Sequence, residues 1–260
     1  MSKSCFWIAL IVPALLPAQA PAQAPAQPPA PATTTSRTAR QGIFVRQDQI
    51  YSPAILPTPP ANDSWKTLAE LADLHHIEQT RTAAQIKHAQ EDDAEESIFS
   101  FADVMGPKFN KEALPLTALL SSHVKNDEGV IVNPAKNFFK RPRPYHLDGT
   151  LHSVCKTTTN REDYGYPSGH GTTGYLEALA LVQMVPEKRD AILARANDYA
   201  YSREVCGAHY ASDEAASKTL AYAMMGVMMV NPQFQAELAA AKAETRAALG
   251  LSPALTSESK

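Results

Sequence analysis

The sequence predicts an all-α protein, and three observations lead there. From Asn62 onward apolar residues recur at helical spacing. Proline and glycine punctuate the chain where helices stop. No stretch alternates with period two for long, and no internal repeat exists beyond a short Pro-Ala-Gln tract.

The elements follow in order. Lys3, an apolar run from Cys5 to Leu16, and Ala18-Gln19-Ala20 have the pattern of a cleavable leader. The run is too short for a membrane span, so residues 1–20 read as a secretory signal peptide. Residues 21–45 open with Pro-Ala-Gln repeats and read as a tether with nothing to bury. Residues 46–250 form one helical domain, and 251–260 a C-terminal tail. Within the domain, Pro53 to Pro60 reads as extended chain. Asn62, Asp63 or Ser64 caps a helix bearing Trp65, Leu68, Leu71, Leu74 and Ile77. Gly106-Pro107 is a break. Leu116–Val124 and Val130–Phe139 read as two short helices, with Pro134 near the first turn of the second. Pro142 and Pro144 end that helix. Leu147 to Tyr166 lacks a period and reads as a long loop, a kind of segment that usually carries function. Helices over Gly171–Val185, Glu187–Tyr201, Ala215–Val230 and Pro232–Leu249 complete the chain. The densest apolar stretch, from Leu220, is too short to cross a bilayer and reads as a core helix.

Composition narrows the function. A 260-residue chain that is 44% hydrophobic suits one globular domain and excludes full disorder. Its net charge of −3 leaves no large basic surface for nucleic acid. Cys5 leaves with the leader, so Cys155 and Cys206 remain as an even pair in an oxidising compartment. A bridge between them is the favoured reading, and two buried thiols are the alternative. The bridge would contribute about 4 kcal/mol by loop entropy.

Three clusters carry chemistry. Lys136 is followed after six residues by Arg143-Pro144. Pro167-Ser168-Gly169-His170 precedes a helix. Ser202-Arg203 is followed by His209 and then Asp213. Arg143 and Arg203 offer planar forks to tetrahedral oxygens, and Lys136 a point charge. Ser168 and Gly169 stand at a helix N-terminus, where free amides bind anions, and Gly169 permits close approach. His170 is placed to give a proton to a leaving group. Asp213, four residues after His209, can fix the tautomer of that ring and leave its other nitrogen nucleophilic. No thiolate, metal cluster or P-loop is needed.

These residues resemble the type 2 phosphatidic acid phosphatase superfamily, and within it the bacterial class A non-specific acid phosphatases. The pattern is Lys-x6-Arg-Pro, Pro-Ser-Gly-His, and Ser-Arg-x5-His-x3-Asp, and all eleven specified positions match in order. The resemblance runs from about Ile55 to Lys242 and includes Leu56-Pro57-Thr58-Pro59-Pro60 and Cys206-Gly207-Ala208-His209. It implies an all-α acid phosphatase acting on small-molecule phosphomonoesters, with no metal and no cofactor. It implies His209 as nucleophile forming a phosphohistidine, His170 as general acid and Asp213 as the group that orients His209. Lys136, Arg143, Ser168, Gly169 and Arg203 would hold the phosphoryl oxygens. Both cysteines fall where class A members carry cysteines. With the leader, the resemblance implies a periplasmic protein without a membrane span after processing, and it leaves a homo-oligomer open. One departure is Gly171-Thr172, where class A members commonly have Thr-Ser.

Other titratable residues read more plainly. His75 and His76 point apart on a helix, and His88 and His123 read as surface or packing residues. The acidic run Glu91 to Glu96 reads as a solvated helix face. His146 and His152, in the inter-motif loop, are candidates for substrate contact, as are Tyr164 and Tyr166. Three rivals share the cradle: a vanadium haloperoxidase, a lipid phosphatase, and a phosphate-binding protein without turnover. The short chain, the absence of spans after the leader, and the His170–His209–Asp213 set argue against them in turn.

Overall fold

The computed structural model describes residues 40–252. The leader, most of the tether and the end of the tail lie outside the described residues. Among the described residues ten α-helices follow one another: α1 Ser52–Ile55, α2 Trp65–Thr80, α3 Ala83–Ala94, α4 Ala102–Met105, α5 Pro115–Phe139, α6 Pro144–Leu147, α7 Gly169–Met184, α8 Arg189–Val205, α9 Ala211–Met228 and α10 Pro232–Leu249. No strand occurs among the described residues, as the sequence pattern predicts. Starts are capped as local chemistry dictates. Ser64 accepts the Thr67 amide, Thr82 the Gln85 amide, and Asn231 the amides of Gln233 and Phe234.

Helix α7 sits centrally and packs against α5, α8, α9 and α10. Leu176, Leu181, Leu220, Met224, Met228 and Phe234 are fully buried in that core. Among the described residues no helix is long and apolar enough to cross a membrane.

The two short helices expected over 116–139 are one helix of 25 residues, with Pro134 inside it. The polar stretch from Lys125 to Gly129 suggested a break, but tertiary partners absorb it. Asp127 accepts the amides of Ile43, Phe44 and Val45 at 2.7, 2.6 and 2.9 Å. Lys125 meets Glu128 at 3.1 Å. The same contacts draw residues 43–45, assigned by composition to the tether, into the packed body, where Phe44 and Val45 are buried. Part of the Pro53–Pro60 segment, read as extended, instead forms α1. Cys155 and Cys206 are bridged, with Cα atoms 5.2 Å apart, which ties the loop after α6 to the end of α8.

Candidate active site

The three sequence clusters converge at the amino end of α7. Ser168 caps that helix, its Oγ accepting the Gly171 amide at 3.1 Å. Gly169 and His170 then open the first turn, where amides lack intrahelical acceptors. Lys136 lies on the last turn of α5, and its Nζ donates to the Tyr164 carbonyl at 2.7 Å. Lys140 ends α5 in the left-handed region, and the chain turns toward Arg143. Arg203 lies on the last turn of α8 and pairs with Asp93 of α3 at 2.8 Å.

His209 lies in the turn between α8 and α9, not on a helix with Asp213. Gly207, at φ 72°, allows that turn beside the disulfide. Asp213 stands in the first turn of α9, where its Oδ2 accepts the Tyr210 amide at 3.1 Å and the His209 Nδ1–H at 3.2 Å. With Nδ1 protonated, Nε2 keeps a lone pair, which accepts from Arg143 Nη1 at 2.8 Å. Arg143 also forks onto Asp163, Nε to Oδ2 at 2.9 Å. Asp93, Glu96, Arg143, Tyr145, His170 and Arg203 are among the residues that line an open cleft. His209 lies beneath it, only 1% exposed, and Arg143 covers its Nε2.

Electrostatics decide the protonation states. Burial, then Arg143, Lys136 and Arg203, hold His209 well below the ordinary imidazole range. Burial and these three cations together favour the neutral ring near neutral pH. Burial, Arg203 and Lys125 likewise hold His170 low. Burial and Arg143 bring Lys136 down to about 8. Burial also raises Asp213, against the pull of Arg141.

Arg141 is the residue the sequence reading missed. It is 2% exposed and bridges Asp213 Oδ1 at 2.6 Å and Glu70 Oε2 at 2.7 Å, with its guanidinium stacked 3.9 Å over Tyr210. It fixes the carboxyl that fixes His209. Its one sequence signal was an arginine two residues before Arg143, between Lys140 and Pro142. The acidic run on α3 also departs from expectation. Asp92 is buried against Arg195 and Ser202, Asp93 holds Arg203, and Glu96 lies 3.2 Å from His170 Nε2 and pairs with Lys125. Only Glu91, Ala94 and Glu95 of that run are exposed. His146 donates to the Thr158 carbonyl and His152 pairs with Glu78, and neither lines the cleft. Tyr166 is buried with its hydroxyl on the Pro57 carbonyl, and Tyr145 takes the place at the cleft wall.

An all-helical domain that gathers lysine, arginine and a helix N-terminus around a buried, carboxylate-backed imidazole defines a helical oxyanion-site protein. Residues 116–236 match the PAP2 superfamily. The chain is 30% identical over 220 residues to a non-specific acid phosphatase of Salmonella typhi, covering 82% of this chain and 87% of the relative. A non-specific acid phosphatase of Providencia stuartii is 30% identical over 202 residues, covering 75% and 81%. An acid phosphatase of Zymomonas mobilis is 32% identical over 148 residues, 55% of each chain. The chain belongs to the PAP2 superfamily, in the group of its non-specific acid phosphatases.

Proposed function

We propose that this chain is an exported, metal-independent acid phosphatase that hydrolyses small phosphate monoesters through a phosphohistidine at His209. The observation that carries the reading is the pair of bonds on that ring: Nδ1–H to Asp213 and Nε2 facing Arg143. A phosphoryl group that takes the Arg143 fork releases Nε2, so substrate binding uncovers the nucleophile. Lys136, Arg143, Arg203, Ser168 and the Gly169 amide hold the equatorial oxygens as charge spreads over them. His209 Nε2 attacks phosphorus in line, and the bond to the ester oxygen breaks. His170 gives that oxygen its proton. Water then attacks the phosphohistidine, with His170 taking the proton back.

His170 is held low in the free enzyme, so its proton must be taken up on the acid side. The negative charge of a bound phosphate offsets Arg203 and favours that uptake. Both limbs of kcat/KM, which report the free enzyme, therefore fall on the acid side of the ordinary imidazole value of 6.5. The leader at 1–20, the tether after it, the helical domain near 46–250 and the tail at 251–260 complete a periplasmic enzyme on this reading, supported by the residue pattern of the amino terminus.

The test is p-nitrophenyl phosphate hydrolysis from about pH 4 to about 8 with EDTA throughout, for the native chain and for His209→Ala. Sustained EDTA-resistant turnover that is abolished by His209→Ala, with unfolding unchanged, is the expected result. Near-native turnover in His209→Ala would sink the assignment.

A further inference from the structure

Arg143 touches His209 with one edge of its guanidinium, and a carboxylate already holds the other. Nε donates to Asp163 Oδ2 at 2.9 Å and to the Asp163 carbonyl at 3.2 Å, and Nη2 donates to Asp163 Oδ1 at 3.3 Å. Nη1 donates to His209 Nε2 at 2.8 Å and to the Ala208 carbonyl at 3.4 Å. An oxyanion held in a bidentate way needs two neighbouring N–H groups, and Asp163 occupies one such pair as a phosphate would. Its side chain lines the same cleft, and its backbone follows the exposed residues Asn160, Arg161 and Glu162. Among the described residues its carboxylate bonds to Arg143 alone. Asp93, the carboxylate on Arg203, is held differently. It stands in the last turn of α3 and also accepts the Lys156 amide at 3.1 Å. The Asp93 side chain is 15% exposed and that of Asp163 37%, so Asp163 is the less fixed of the two.

We propose that Asp163 is a resident anion that competes with phosphate for Arg143, and so sets how tightly the cleft holds phosphomonoesters and the phosphate they release. The inference rests on the reading of Arg143 as a phosphate ligand. A phosphoryl group that takes the Nη1–Nη2 edge releases His209 Nε2 and meets the Asp163 carboxylate across the same guanidinium. Asp163 then gives up the fork and loses its bonds, or it keeps the fork and two anions share one cation. Both outcomes weaken binding, so the sign of the effect is the same in either case. The orientation of Arg143 does not hang on that charge. The carbonyls of Asp163 and Ala208 and His209 Nε2 still accept from it when the carboxylate is gone. An uncharged side chain at 163 therefore leaves Arg143 in place and returns its full charge to the phosphate.

The experiment measures binding of inorganic phosphate by calorimetry, so that it does not depend on turnover. A pH of about 6 lies well below the Lys136 value of about 8, so losing Asp163 does not discharge that lysine. The variants are Asp163→Asn, Asp163→Ala, Asp163→Glu and, as a control, Arg143→Ala. Asn keeps the shape without the charge, and Ala removes both. Each should bind phosphate roughly three- to thirtyfold more tightly than the native chain, the effect of one unit charge at the rim of the site. Asp163→Glu keeps the charge and should bind much as the native chain does. KM for p-nitrophenyl phosphate should fall in Asp163→Asn and Asp163→Ala, and inhibition by added phosphate should sharpen. The ion pair is partly exposed, so unfolding should barely change. Weaker binding by Asp163→Asn overturns the proposal, because Asp163 would then be the group that orients Arg143. Native binding by both Asp163→Asn and Asp163→Ala overturns it, as does binding by Asp163→Glu as tight as by Asp163→Asn. A native chain that binds no phosphate, or binding unchanged by Arg143→Ala, fails at the earlier step: it removes Arg143 from the phosphate site, and the proposal with it.

Discussion

Along α7 the surroundings change from charged to apolar within a few turns. The first turn lies against the carboxyls of Glu128 and Glu214, with His170 facing Glu96 across the cleft. Further on, Leu176, Ala180, Leu181 and Met184 enter the apolar core with Leu220, Met224 and Phe234. The second region is stabilised by burial, roughly 1.5–3 kcal/mol for each large side chain. The first holds ionisable groups whose charges burial disfavours, and it persists because the second holds the helix in place. On the proposed reading, chemistry and stability are thus assigned to opposite ends of one element.

The largest test of that division sets Asp213→Asn against Leu181→Ala. The asparagine cannot fix the His209 tautomer and leaves Arg141 with Glu70 as its remaining carboxylate, so turnover should fall by about 10²- to 10⁴-fold. Leu181 is fully buried, and its truncation should lower unfolding free energy by about 2–5 kcal/mol while leaving kcat/KM of the folded enzyme unchanged. Urea unfolding and steady-state kinetics on both variants decide it. A loss of kcat/KM in Leu181→Ala comparable to that in Asp213→Asn would show that the two ends are not separable.

Glu177 lies between the two regions and sharpens the contrast. It is buried on α7, and its Oε1 accepts from the Ser121 hydroxyl at 2.7 Å while Oε2 has no partner. Burial pushes its carboxyl up to about 8 from an ordinary 4.5. The folded chain therefore keeps a proton that the unfolded chain releases between those values. This contribution to stability is full below about 4.5 and is lost as pH rises toward 8. Glu204, raised to about 7 by burial and neighbouring acids, acts in the same direction. Glu177→Gln should flatten, without abolishing, the fall in unfolding free energy over that range, as read by urea titrations at a series of pH values. An unchanged slope would show that Glu177 does not carry it.

The same contrast explains what the sequence discloses. The apolar end follows from helical spacing, and the motif residues meet because short turns and caps place them: Ser168 before α7, and His209 just before α9. The groups that surround them depend on contacts across the fold. Asp92 meets Arg195, 103 residues away, so a run that reads as a solvated face is in part buried. Arg141 reaches Glu70 across 71 positions, and no local period marks either one. Lys125 to Gly129 reads as a break because Asp127 finds its partners 82 to 84 residues upstream. The oddity at Gly171 was visible in the sequence, but its reason lies on α9, where the Glu214 carboxyl fills the space a side chain at 171 would need.

Lys125 offers the finest adjustment. Its Nζ pairs with Glu96 and Glu128, and after burial and Arg203 it is the next cause of the low His170 value. Lys125→Met removes that cation and leaves Glu96, 3.2 Å from His170 Nε2, without its lysine partner. Both changes favour the imidazolium, so the sign is fixed: His170 should hold its proton to higher pH. On the proposed mechanism, the limb of kcat/KM that reports the His170 proton should then move toward neutral, while the limb that reports His209 stays in place because Lys125 is not among the main groups that depress that ring. A pH profile of the variant measures both limbs at once. Movement of both would mean that Lys125 acts on the whole cleft, and movement of neither would leave burial and Arg203 as the groups that set His170.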